Sequence, residues 1–193
     1  MTSESIIVVS GLPRSGTSLM MQMLAAGGIE VVTDGQRKSD DDNPRGYYED
    51  ERVKSMGRDN RWLGQARGKA IKVISALLFH LPCRWSYKTI LMERDLDEII
   101  RSQDKMLSRR DAHTPDSDAA VMADKFSTHL DQVRAWLAQQ PNLDVVFVPY
   151  RAVIEAPETQ AHRVQELVRR PLDIDNMVQV VDPTLYRSRG SGA

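Results

Sequence analysis

Gly11 and Gly16 stand five residues apart in the stretch IIVVSGLPRSGTSLMMQML (6–24), with Arg14, Ser15, Thr17 and Ser18 beside them. Glycines at this spacing, between an apolar run and a helix-forming run, gather backbone N–H groups and the positive end of a helix dipole at one point, and the natural occupant is an anion. The phosphate-loop pattern G-x-x-x-x-G-K-[ST] is nearly met, but Thr17 takes the place of the lysine and Ser18 that of the hydroxyl. The cation comes three residues early, at Arg14. A nucleotide kinase or ATPase would use the missing lysine on the terminal phosphates, together with a magnesium-binding aspartate after an apolar strand that is not evident here.

The elements that must hold this loop follow from periodicity. Ile6 to Val9 is a continuous β-branched run, as in a strand covered on both faces of a parallel sheet. TSLMMQMLAA reads as a helix closed by Gly27 and Gly28. IEVV (29–32), KAIKVIS (69–75), YKTILM (87–92) and LDVVFVPY (143–150) read as further strands. LLFHLP is a short helical connection stopped by Pro82, and DLDEIIRSQDKML a helix with acids in its first turn. The longest helix spans 118–140, with Met122, Phe126, Leu130, Val133 and Leu137 as its core stripe, and PETQAHRVQELVRR is a proline-led helix. Polar, turn-rich segments near 33–48 and 108–117 are expected to be mobile loops, and the tail VVDPTLYRSRGSGA has weak secondary structure. Strands alternating with helices predict one α/β domain over residues 1–193, a three-layer α/β/α sandwich on a parallel sheet, similar to the P-loop NTPases, with its ligand at the carboxyl ends of the strands.

GLPRSGTS resembles the 5′-phosphosulfate loop of the sulfotransferase family, P-[KR]-[ST]-G-[ST]-[ST], in which a cation follows the proline as Arg14 does here. The resemblance implies 3′-phosphoadenosine 5′-phosphosulfate (PAPS) as donor, 3′,5′-ADP as product, and Arg14, Ser15, Gly16, Thr17 and Ser18 around the phosphosulfate. MERDLDEIIRSQ is similar to the family's 3′-phosphate element, an arginine ending a strand and a serine eight positions later, here Arg94 and Ser102. VPYRAVIEAPETQ resembles the segment whose tyrosine contacts adenine, which implies Tyr150, although Arg151 replaces the usual acid. LYRSRGSGA is similar to a C-terminal loop that completes the 3′-phosphate site, implying Arg189 and Gly190, with Arg187 an alternative.

Sulfuryl transfer needs alignment, charge stabilisation at the bridging oxygen and removal of a proton from the acceptor. Arg14 and Lys72, near the end of a strand at the same sheet edge, are the expected stabilisers, and no metal is required. His80 in LLFHLP resembles a catalytic His-Leu-Pro but lies only fourteen residues before Arg94, too close for that role. Glu49 in DNPRGYYED is the expected general base, because partial burial beside Tyr47 and Tyr48 would raise a carboxylate's basicity; Asp34, Asp50 and Glu51 are alternatives, as is a helix-capping role for Glu49. The rival readings are a degenerate P-loop kinase or NTPase and a nucleotide-binding module that does no chemistry.

Composition bounds the partners. With 193 residues, 41% hydrophobic and 27% charged, the chain can bury a substantial core. A net charge of -1 argues against general nucleic-acid binding; the acceptor that the resemblance implies is expected to be a small molecule, a glycan or a lipid, for which the loop tyrosines Tyr47 and Tyr48 are suited. The single Cys83, expected to be buried or half-buried, precludes an intramolecular disulfide, and the four histidines have no ligand-like spacing. MTSES lacks the basic flank of a secretory signal, and no apolar segment approaches the roughly 18 residues of a membrane span, so a cytoplasmic protein is expected.

Overall fold

The computed structural model describes residues 4–37, 46–109 and 119–185. Strands β1 (Ile6–Gly11), β2 (Ala70–Ile74), β3 (Tyr87–Glu93) and β4 (Leu143–Pro149) form a parallel sheet in the order β2-β1-β3-β4. Gly11 pairs with Ile74 on one side and Met92 on the other, and Glu93 pairs with Pro149, so all four strands end along one edge. Every residue of β1 is buried, which explains why its apolar run is continuous rather than alternating.

The two-residue period of β1 divides the core. Ile7 and Val9 face Met20, Met21, Met23 and Leu24 of α1 (Thr17–Ala26), Val164 of α5 (Pro157–Val168) and Met177 of α6 (Ile174–Gln179). Ile6 and Val8 face Val133 and Leu137 of α3 (Ala119–Leu137) and Val53, Met56 and Leu63 in and beside two 3₁₀ turns, Glu51–Ser55 and Arg61–Ala66. Helix α2 (Leu96–Arg109) packs Ile99 against Leu12 of the glycine loop and Leu130 of α3. A short helix α4 (Tyr150–Glu155) follows β4 directly. The result is the expected three-layer α/β/α fold around a parallel sheet.

Three local expectations change. IEVV makes only a single bridge, Val31 to Ala70, beside β2 instead of a strand. Cys83 is exposed in the turn between Pro82 and β3, not buried. Helix α6 has no counterpart in the sequence reading. In the long helix the stripe holds, with Leu130, Val133 and Leu137 buried and Met122 and Phe126 half-buried. Most of the loop expected at 108–117 and the centre of that at 33–48 lie outside the described residues. No helix among them is long and apolar enough to cross a membrane.

Candidate active site

The glycine loop leaves the sheet at Gly11, where φ is 150° and an added Cβ would lie 2.7 Å from the carbonyl oxygen of Met92. Gly16 caps α1 with φ 98°, and a Cβ there would fall 2.4 Å from Cδ2 of Tyr150. Each glycine is therefore required twice, for a left-handed backbone and for a close approach. Ser15 is buried and donates its hydroxyl to the carbonyl oxygen of Leu12 at 2.7 Å, which fixes the turn. Thr17 is buried, Ser18 half-buried, and Arg14 takes a left-handed φ of 71° in mid-loop.

The side chain of Arg14 reaches across the edge to α2, where its Nε donates to Oγ of Ser102 at 3.0 Å. From the end of β3, Arg94 donates through Nη1 to the carbonyl oxygen of Arg14 at 3.0 Å and through Nε to Oε2 of Glu98 at 2.9 Å. Its guanidinium also lies 4.5 Å from the ring centroid of Tyr150, the first residue of α4. Burial pushes the Tyr150 phenol above its ordinary pKa, with Arg94 opposing the shift. The structure thus brings Arg14, Arg94, Ser102 and Tyr150 together, although residues 14 and 102 are 88 positions apart. It places Nε of Arg14 at the serine expected to serve the 3′-phosphate.

A second cluster grows from β2. Lys72 pairs in register with Val9, so it faces α1, and its stem is buried along that wall. Its Nζ donates to Oγ of Ser18 at 3.1 Å, to the carbonyl oxygen of Tyr47 at 2.9 Å and to Oε1 of Glu49 at 3.3 Å. Burial lowers the Lys72 pKa from the ordinary lysine value, Glu49 opposes the shift, and Arg37 and Arg14 add to it. A lysine whose pKa is depressed at a sheet edge, beside a helix N-terminus, is suited to hydrogen bonding and proton transfer near an anion.

Glu49 is the carboxylate at this point, but its surroundings are cationic. Besides Lys72, it takes two hydrogen bonds of 3.1 Å from Nη1 of Arg37, whose guanidinium lies 3.4 Å from the centroid of the buried Tyr47 ring. The other acids have different work. Asp50 caps the turn at Glu51–Ser55 and holds Arg52, Asp34 accepts from the backbone N–H of Glu51 and Gln36, and Glu51 pairs with Lys54. The helix-capping acid of this segment is therefore Asp50, not Glu49. His80 is exposed, with its ring against Gly57. Arg187, Arg189 and Gly190 lie outside the described residues. Sequence reasoning missed Arg37, which no spacing distinguishes from the other charges of its loop, and Glu98, whose i,i+4 spacing from Arg94 was readable.

No family model and no curated protein matches this chain. Among solved structures it is similar to the sulfotransferase domain of the Synechococcus PCC 7002 olefin synthase, with 15% identity, TM-score 0.56, and coverage of 99% of this chain and 90% of that one. The sulfotransferase domain from the curacin biosynthetic pathway matches with 13% identity, TM-score 0.55 and coverage of 93% and 78%. Sulfotransferase STF9 from Mycobacterium avium matches with 14% identity, TM-score 0.53 and coverage of 98% and 70%. The chain has a sulfotransferase-like fold.

Proposed function

We propose that this chain is a sulfotransferase that moves a sulfuryl group from PAPS to a hydroxyl or amine of a small-molecule, glycan or lipid acceptor, within one domain and without a metal. The observation that carries this reading is the bond from Arg14 to Ser102, which ties a glycine loop at a helix N-terminus to a hydroxyl anchor on another helix. A single phosphate cradle needs only the loop; a ligand charged at both ends needs two anchors. The donor set fits such a ligand, since Arg14, Arg94 and Lys72 supply cations, and Ser18 and Ser102 supply hydroxyl donors.

In this reading Arg94 and Ser102 hold the 3′-phosphate, and Tyr150, stacked beneath Arg94, borders the adenine. Arg14 turns from Ser102 to the phosphosulfate, which Ser15, Gly16, Thr17 and Ser18 cradle through the loop and the start of α1. The donor supplies an activated sulfur–oxygen bond. Lys72 donates a hydrogen bond to the bridging oxygen as that bond breaks, and Glu49 accepts the proton of the acceptor group as the new sulfur–oxygen or sulfur–nitrogen bond forms. The electron pair stays on 3′,5′-ADP. The test is a thermal-shift and calorimetric comparison of 3′,5′-ADP with ATP plus magnesium. Stabilisation by 3′,5′-ADP, lost in Arg94→Ala, is expected; stabilisation by ATP and magnesium alone would replace this reading with that of a kinase or NTPase.

A further inference from the structure

The arrangement around Arg37 raises a difficulty for a base at Glu49. Both carboxylate oxygens accept from Arg37 Nη1 at 3.1 Å, and Oε1 also accepts from Lys72 at 3.3 Å. A carboxylate engaged in this way is poorly placed to receive an acceptor's proton. The guanidinium, by contrast, is well placed to receive something else. Tyr47, itself 4% exposed, forms a rigid aromatic floor 3.4 Å below it, while the Arg37 side chain retains 38% of its exposure. A guanidinium held on an aromatic face presents its remaining donors in a fixed plane, a geometry matched to planar oxyanions. Glu49 already shows that a carboxylate fits there.

We propose that Arg37 is the specificity residue of the acceptor subsite, and that the acceptor bears a carboxylate near the hydroxyl or amine to be sulfated. The acceptor's carboxylate takes over the guanidinium, and Glu49 is released from Arg37 while Lys72 still holds it next to Ser18. Recognition of the acceptor and exposure of the base are then one event, so an uncharged acceptor binds without arming the site. This substrate class rests on the sulfotransferase reading, but the carboxylate clamp is a property of Arg37, Tyr47 and Glu49 that can be measured without turnover.

The experiment titrates the protein saturated with 3′,5′-ADP with two probes of similar shape, 4-hydroxyphenylacetate and the neutral 4-hydroxyphenethyl alcohol, followed by calorimetry or by ligand-observed NMR. The carboxylate should bind at least about tenfold more tightly, as expected for a charge-assisted pair. The preference should vanish in Arg37→Gln, shrink in Arg37→Lys, which keeps the charge but loses the fork, and grow in Glu49→Gln, which weakens the competing occupant. Equal binding of the two probes to the wild type, or a preference that survives Arg37→Gln, overturns the proposal. If 3′,5′-ADP itself fails to bind, the sulfotransferase reading falls separately, and the same titration of the ligand-free protein still decides whether Arg37 is a carboxylate clamp.

Discussion

Gly16→Ala is the sharpest perturbation of the site, because its cost has two separable parts. The backbone at residue 16 has φ 98°, and holding an L-residue in the left-handed region costs about 1–2 kcal/mol. The new Cβ would also lie 2.4 Å from Cδ2 and 3.0 Å from Cε2 of Tyr150, more than 1 Å inside ordinary carbon–carbon contact at the nearer atom. The ring cannot withdraw freely: it is 8% exposed, packed in the core shared by α1 and α5, and covered by Arg94. Overpacking of this kind costs about 1–3 kcal/mol, for a total of about 2–5 kcal/mol and a fall in Tm of roughly 4–20 °C in a chain of this size. Urea denaturation of wild type, Gly16→Ala, Tyr150→Ala and the double variant closes a cycle. In the Tyr150→Ala background the clash is gone, so Gly16→Ala should cost only its backbone part, and the coupling should be about 1–3 kcal/mol. An equal cost in both backgrounds would refute the close packing of the loop on Tyr150.

Other measurements address the two anchors. Ser102→Ala removes the acceptor of Arg14 Nε and should lower stability by about 1 kcal/mol in the ligand-free protein. In calorimetry it should also reduce the preference for 3′,5′-ADP over 5′-AMP by about tenfold or more; an unchanged preference would remove Ser102 from the 3′-phosphate site. Lys72 binds its proton less tightly in the folded chain than in the unfolded one. Over the window between its depressed pKa and the ordinary lysine value of about 10.4, the unfolded state therefore holds more protons, and stability attributable to Lys72 rises with pH. The charged lysine is at its least favourable below that window. Chemical denaturation across the alkaline range should show this rise in wild type and a flatter profile in Lys72→Met; identical profiles would place the titration elsewhere.

The fold was legible because β1 opens on an uninterrupted apolar run, as a strand covered on both faces must, and because the glycines mark where β1 gives way to α1. Arg94 and Ser102 were legible as a spacing, but their link to Arg14 was not, since a sequence gives no direction for a long side chain. IEVV looked like a strand by composition, yet Glu30 is exposed and Val31 only half-buried at the edge of β2, with too little cover to extend the pairing beyond one bridge. Helix α6 escaped because six residues, half of them polar, are too few to show a period; Met177 is fully buried against Gly27. For Glu49 the position was readable and the environment was not. The tyrosines suggested apolar burial, whereas Lys72 and Arg37 arrive from other parts of the chain to surround the carboxylate with cations.

The central place of β1 has a consequence for how the chain is made. It is the first of the four strands to be synthesised, but its hydrogen-bonding partners are Ala70–Ile74 and Tyr87–Glu93. At about 5–20 residues per second, a ribosome takes roughly 4–15 s to travel from Gly11 to the start of β3. Until both partners have been made, IIVVS is an incompletely paired β-branched segment with no charge and no proline, a composition that pairs readily with copies of itself. The strand that presents the anion loop is thus also a stretch of nascent chain in need of shielding. A charge introduced within it to improve solubility would strike the sheet and the loop at once.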